Sequence, residues 1–142
     1  MNRMMRMLSV MVCLAAVTAC SKAAAPGPAP AQNAAVRVSG IEVGRALGAS
    51  KVIADKTSEF RPADTIYLSV ETDGTAPRAT LAARWTYQDG QVVKEQSEAI
   101  APAGNAHTEF HIAKPDGWPA GKYTVAVSLN GAAAGSKDFV VK

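Results

Sequence analysis

Residues 117–127 read GWPAGKYTVAV and continue as SLNG to residue 131. From Lys122 onward, every second residue is apolar: Tyr123, Val125, Val127 and Leu129. A strand turns successive side chains to opposite faces, so these four line one face. The alternation stops at Asn130-Gly131, a dipeptide suited to the positive φ angles of a two-residue hairpin turn. Before it, Pro119 and the flanking glycines mark a turn that leads into the strand. One half-buried strand, entered by a tight turn and left by a hairpin, is the unit from which the domain is built.

The same period recurs on both sides. VRVSGIEV (36–43) opens the domain, and SKVIA (50–54) is expected to continue along a sheet edge. DTIYLSVET sets Ile66, Leu68 and Val70 on one face. TLAARWTY does so with Leu81, Ala83, Trp85 and Tyr87, TEFHI with Phe110 and Ile112, and DFVVK with Phe139 and Val141. No convincing amphipathic helix interrupts them. Short alternating segments with turn residues every 8–12 positions or so describe an all-β sandwich. Asp89-Gly90 is read as a second two-residue hairpin. The polar QVVKEQSE that follows is an edge strand whose charges disfavour pairing with another copy of itself. After Asn130-Gly131, simple hairpin pairing gives Phe139 and Val141 the wrong parity. A bulge near Gly135 is therefore expected, inserting one residue and returning both to the core.

These segments resemble an immunoglobulin-like domain over residues 36–142. Tyr123 sits where the tyrosine corner of such folds would be, with its hydroxyl bonded back to nearby backbone. Val125 and Leu68 stand where the two disulfide cysteines would be, and Trp85 where the core tryptophan would be. The absence of both cysteines moves the comparison toward fibronectin-like and bacterial immunoglobulin-like modules. The resemblance implies an antiparallel two-sheet sandwich of about seven strands. It implies no reaction, because such folds are scaffolds.

The region before the domain carries different information. Arg3 and Arg6 precede an apolar run from Leu8 to Ala19 that ends in small residues. That is the layout of a secretory signal peptide. The run is shorter than the roughly 20 residues that span a bilayer. It closes on Val17-Thr18-Ala19-Cys20, which resembles the lipobox of bacterial lipoproteins. The resemblance implies diacylglycerol on the Cys20 sulfur, cleavage before Cys20 and acylation of the new amino group. Each buried methylene adds about 0.8 kcal/mol, so several chains hold where a single chain holds only marginally. Cys13 leaves with the signal, so no disulfide is expected in the mature chain. Ser21 is not the aspartate that retains lipoproteins in the inner membrane of well-studied Gram-negative bacteria. An outer-membrane, periplasm-facing location is therefore expected.

Residues 21–35, SKAAAPGPAPAQNAA, contain no large apolar side chain. Such a segment cannot bury a core and reads as a disordered tether, with a reach of roughly 45 Å if extended. The expected organisation is thus a signal peptide over 1–19, lipidated Cys20 and tether over 20–35, and the sandwich over 36–142. Loss of Arg3 and Arg6 lowers the formal net charge of +3 by two. With no block of Lys or Arg, nucleic acid is not an expected partner.

The search for chemistry returns few residues. There is no G-x-S-x-G elbow, P-loop or H-E-x-x-H, and neither a cofactor nor an enzyme is expected. His107, Glu109 and His111 share one strand face and are the candidates for a metal. His107 and His111 stand about 13–14 Å apart on an extended strand, too far to ligate one ion jointly. A solvated polar face is the expected reading. Trp118 is the candidate ligand-binding residue, through stacking on a sugar or peptide, against a simpler role closing the end of the core. The function expected is a lipid-anchored, non-catalytic interaction module with an envelope protein partner. The alternative is a binder of glycan, peptidoglycan fragments or a small ligand, and less so a metal-handling protein. Nothing in the sequence indicates the oligomeric state.

Overall fold

The computed structural model describes residues 35–142. The signal peptide, Cys20 and the tether through residue 34 lie outside the described residues. Nine strands and one 3-10 turn follow in order. They are β1 (Arg37–Leu47), the turn (Ala49–Lys51), β2 (Ile53–Lys56), β3 (Glu59–Phe60) and β4 (Ile66–Asp73). Then come β5 (Ala79–Tyr87), β6 (Val92–Ile100), β7 (Ala106–Ile112), β8 (Gly121–Leu129) and β9 (Ala132–Val141). One sheet has the order β2-β1-β4-β7 and the other β3-β9-β8-β5-β6. Among the described residues, no helix is long and apolar enough to cross a membrane.

The alternating faces meet between the sheets. Ile66, Leu68 and Val70 from one sheet and Leu81, Trp85 and Val125 from the other are completely enclosed. Val43, Phe60, Phe110, Ile112, Tyr123, Phe139 and Val141 complete the core. Trp85 and Val125 are direct partners across β5 and β8, and Phe139 meets the Trp85 ring edge-on. Among the described residues, the core is closed between the sandwich's own two sheets.

The tyrosine corner forms as expected. The Tyr123 hydroxyl donates to the Pro119 carbonyl at 2.7 Å. Burial pushes its ionisation above the ordinary tyrosine value, which keeps it a donor. The expected bulge is also present. Val127 pairs with Gly135 and Ser128 with Ala133, leaving Ala134 as the extra residue. Parity is restored beyond it, and Phe139 and Val141 reach the core.

Three expectations are corrected. Asn130-Gly131 is a two-residue turn with positive φ at both residues, but Asp89-Gly90 is not. Only Gly90 has positive φ, and the Gly90 amide bonds to the Tyr87 carbonyl while the Tyr87 amide bonds to that of Gln91. That is a three-residue loop with a glycine bulge, shaped by an Asp89 carboxylate that accepts from the Gln91 amide. Second, β2 lies at the sheet edge as expected, but it does not prolong β1 there. It turns back against β1 through Gly44–Leu47. Gly44 makes this possible, because a Cβ there would overlap the Asp55 carbonyl oxygen and the Ile53 side chain. Third, the sheets are not wholly antiparallel. The two-residue β3 pairs parallel with the end of β9, seating Phe60 edge-on against Phe139. It was invisible to periodicity because two residues cannot show a period.

Candidate functional site: the seam between two open edges

The sheet orders leave β6 at the edge of one sheet and β7 at the edge of the other. Both edges lie on the same side of the sandwich, and the seam between them is open. Three residues of β6 point into it. Glu98, Gln96 and Lys94 pair with Leu81, Ala83 and Trp85 respectively, so they share the inward face of their sheet. On any other strand these positions would carry core side chains.

Gln96 spans the seam. Its amide oxygen accepts the Trp85 indole N–H at 3.2 Å, and its amide nitrogen donates to the His111 carbonyl at 3.1 Å. The core tryptophan thus has its polar atom satisfied by an edge residue, which in turn ties the two sheets together. Sequence reading missed this role, because Gln96 in a polar run looks like any other solvated side chain. The only available signal was its parity with the inward face.

On either side of Gln96 lies a cleft. One is about 520 Å³ and is bordered by Val93, Lys94, His111, Lys114 and Trp118. The other is about 490 Å³ and is bordered by Lys51, Ser97, Glu98 and Glu109. The first is bordered by two lysines and no carboxylate, whereas the second sets Lys51 and Lys94 beside Glu98 and Glu109. The seam is therefore cationic at one end and balanced in charge at the other. Val92, at the start of β6, is one of two large hydrophobic residues left exposed among the described residues.

Trp118 is 7% exposed and belongs to the core. Its indole N–H donates to the Asp64 carbonyl at 3.3 Å, and its ring lies edge-on to Tyr123. It closes the end of the sandwich and leaves little of its surface exposed to the cleft. His107, Glu109 and His111 all project from the outer face of β7, as their parity required. They are engaged separately. His107 Nδ1 meets the Ser69 hydroxyl at 3.3 Å, while His111 Nδ1 meets the Glu109 carboxylate at 2.9 Å and its ring tilts onto Tyr67. Among the described residues, no group of three or more His, Cys, Asp or Glu is placed to hold a metal ion.

The described chain begins at the other end of the molecule. Arg37 pairs with Asp73, close to where Thr72 meets Ala106. Lys94, Ile112 and Trp118 lie at the opposite strand ends. The start of the described chain and the cationic cleft therefore lie at opposite ends of the sandwich.

No family description and no curated protein matches this sequence. Solved structures do resemble it. An immunoglobulin-like protein from Pseudomonas aeruginosa superposes with a TM-score of 0.51 at 19% identity, over 78% of this chain and 99% of that one. The alkylpurine DNA glycosylase AlkC from Pseudomonas fluorescens, bound to DNA containing an abasic site analog, gives 0.50 at 20% identity over 75% of this chain. The present chain spans only 30% of the glycosylase. Identities this low establish the fold alone. The domain is an immunoglobulin-like β-sandwich.

Proposed function

We propose that this chain is a lipid-anchored, non-catalytic interaction module of the bacterial cell envelope, held to the membrane through acyl chains on Cys20 and facing the periplasm. The observation that carries the interaction role is the open seam: two unpaired sheet edges on one side, whose cationic end is remote from the start of the described chain. A sheet edge presents free backbone donors and acceptors that an added strand can satisfy. The lipobox Val17-Thr18-Ala19-Cys20 supports the anchor, and Ser21 supports the outer membrane. The immunoglobulin-like fold, a scaffold that by itself implies no reaction, is consistent with a non-catalytic module.

Crosslinking in cells, followed by mass spectrometry of what is retained, tests the module. A discrete, stoichiometric envelope protein is the expected result, and recovery without any protein retires the reading. The anchor has its own test. Wild type should incorporate labelled palmitate and partition with membranes, and Cys20→Ser should do neither. Glycan binding through Trp118 is less favoured, because the indole is already packed and bonded. Binding of wall fragments that changes tryptophan fluorescence would revive it.

A further inference from the structure

The open β6 edge has a sequence that complements itself when read in both directions from Gln96. We propose that β6 pairs antiparallel with β6 of a second copy, about a two-fold axis through Gln96, joining two five-stranded sheets into one. This inference goes beyond the interaction role above by naming one occupant of the edge.

The argument is one of register. A two-fold axis normal to the sheet keeps each strand face on its own side. Opposed residues must therefore share a face, and the axis must pass through a residue position. Centring on Lys94, Glu95 or Glu98 sets a charge against its own copy, which is unfavourable. Centring on Ser97 sets Lys94 against an apolar residue, Ile100. Centring on Gln96 sets Lys94 against Glu98 of the second copy, twice by symmetry. Glu95 then opposes Ser97, and it is already held by Arg84 of its own sheet at 3.2 Å. The shift in the β5–β6 register between Lys94 and Val92 ends this regular pairing, so the match rests on Lys94 and Glu98.

The expectation that these charges disfavour self-pairing is thereby reversed. Taken as a run they look like a guarded edge. Placed by their register with β5, they are complementary under the one symmetry that continues the sheet.

Sedimentation equilibrium of the chain from Ser21 onward, from micromolar to millimolar concentration at low salt, tests the proposal. The wild type is expected to show a reversible monomer–dimer equilibrium. Lys94→Glu and Glu98→Lys should each weaken it about tenfold, because each turns two opposite-charge pairs into like-charge pairs. The double reversal K94E/E98K should restore it. An equimolar mixture of the two single variants should form a heterodimer, since the charges again oppose correctly. Circular dichroism checks that every variant is folded. A wild type that stays monomeric overturns the proposal, as does a dimer indifferent to the reversals or one the double variant fails to restore. A monomer that still crosslinks one envelope protein in cells retires self-pairing and leaves the interaction role standing. A dimer that crosslinks only to itself does the converse.

Discussion

The Tyr123 hydroxyl reaches the Pro119 carbonyl four residues back, while its ring stacks on Phe139 and meets Tyr87 edge-on. Replacing it by phenylalanine keeps the packing and strands a carbonyl near the end of the core. A buried polar group left unpaired costs about 1–3 kcal/mol. Tyr123→Phe should therefore lower unfolding stability by about that amount in a urea titration, with the slope of the transition unchanged. Gln96 is the second informative residue. Gln96→Ala leaves the Trp85 N–H without an acceptor and unties β6 from β7. A loss of about 1–3 kcal/mol is expected, together with a shift in tryptophan emission that Glu98→Ala should not produce. Asp138 gives a pH prediction. A hydrogen bond from the Thr124 hydroxyl, then one from Lys122, holds its carboxyl below the ordinary carboxylate value. A depressed folded value stabilises above the unfolded value, and that contribution is lost as pH falls through the folded one. Asp138→Asn should thus flatten the fall in melting temperature between about pH 5 and pH 2. The effect is small and weakens with salt because the group is at the surface.

Among the elements, β2 depends on a single missing Cβ. Gly44→Ala forces β2 away from β1, because a methyl there would overlap Asp55 and Ile53. Amide exchange should quicken over Ile53–Lys56 while β4 and β8 keep their protection, since the core strands do not rely on β2 for pairing. Uniform loss of protection would show that β2 is integral to the fold. The β9 bulge is a similar device in the other direction. One extra residue, Ala134, sets the parity of everything after it. Its position was legible in the sequence because the hydrophobic residues after the turn were out of phase with the turn itself. The pairing of β3 was not legible, and neither was the loop at Asp89-Gly90. The first is too short to have a period. The second depends on whether the aspartate takes negative φ and bonds forward to Gln91, which the dipeptide alone leaves open.

For the whole molecule, local patterning accounted for a great deal. Alternation at Ile66–Val70, Leu81–Trp85 and Tyr123–Val127 specifies which faces are buried, because a strand has a period of two and no other way to hide those side chains. The turn before Tyr123 and the placement of Trp85 were enough to expect an immunoglobulin-like sandwich. The proposed anchor at Cys20 rests on linear sequence alone and lies outside the described residues. The candidate site was not legible in that way. Lys94, Gln96 and Glu98 read as ordinary edge polarity until β6 and β7 were seen to end their sheets on the same side. Trp118 read as a possible platform until the Asp64 carbonyl and Tyr123 were found against it. Sequence alone determined which residues face inward, because that follows from neighbours two positions apart. Tertiary structure decided which strands end a sheet and what their inward residues confront, because that depends on strand order, a property of distant segments meeting.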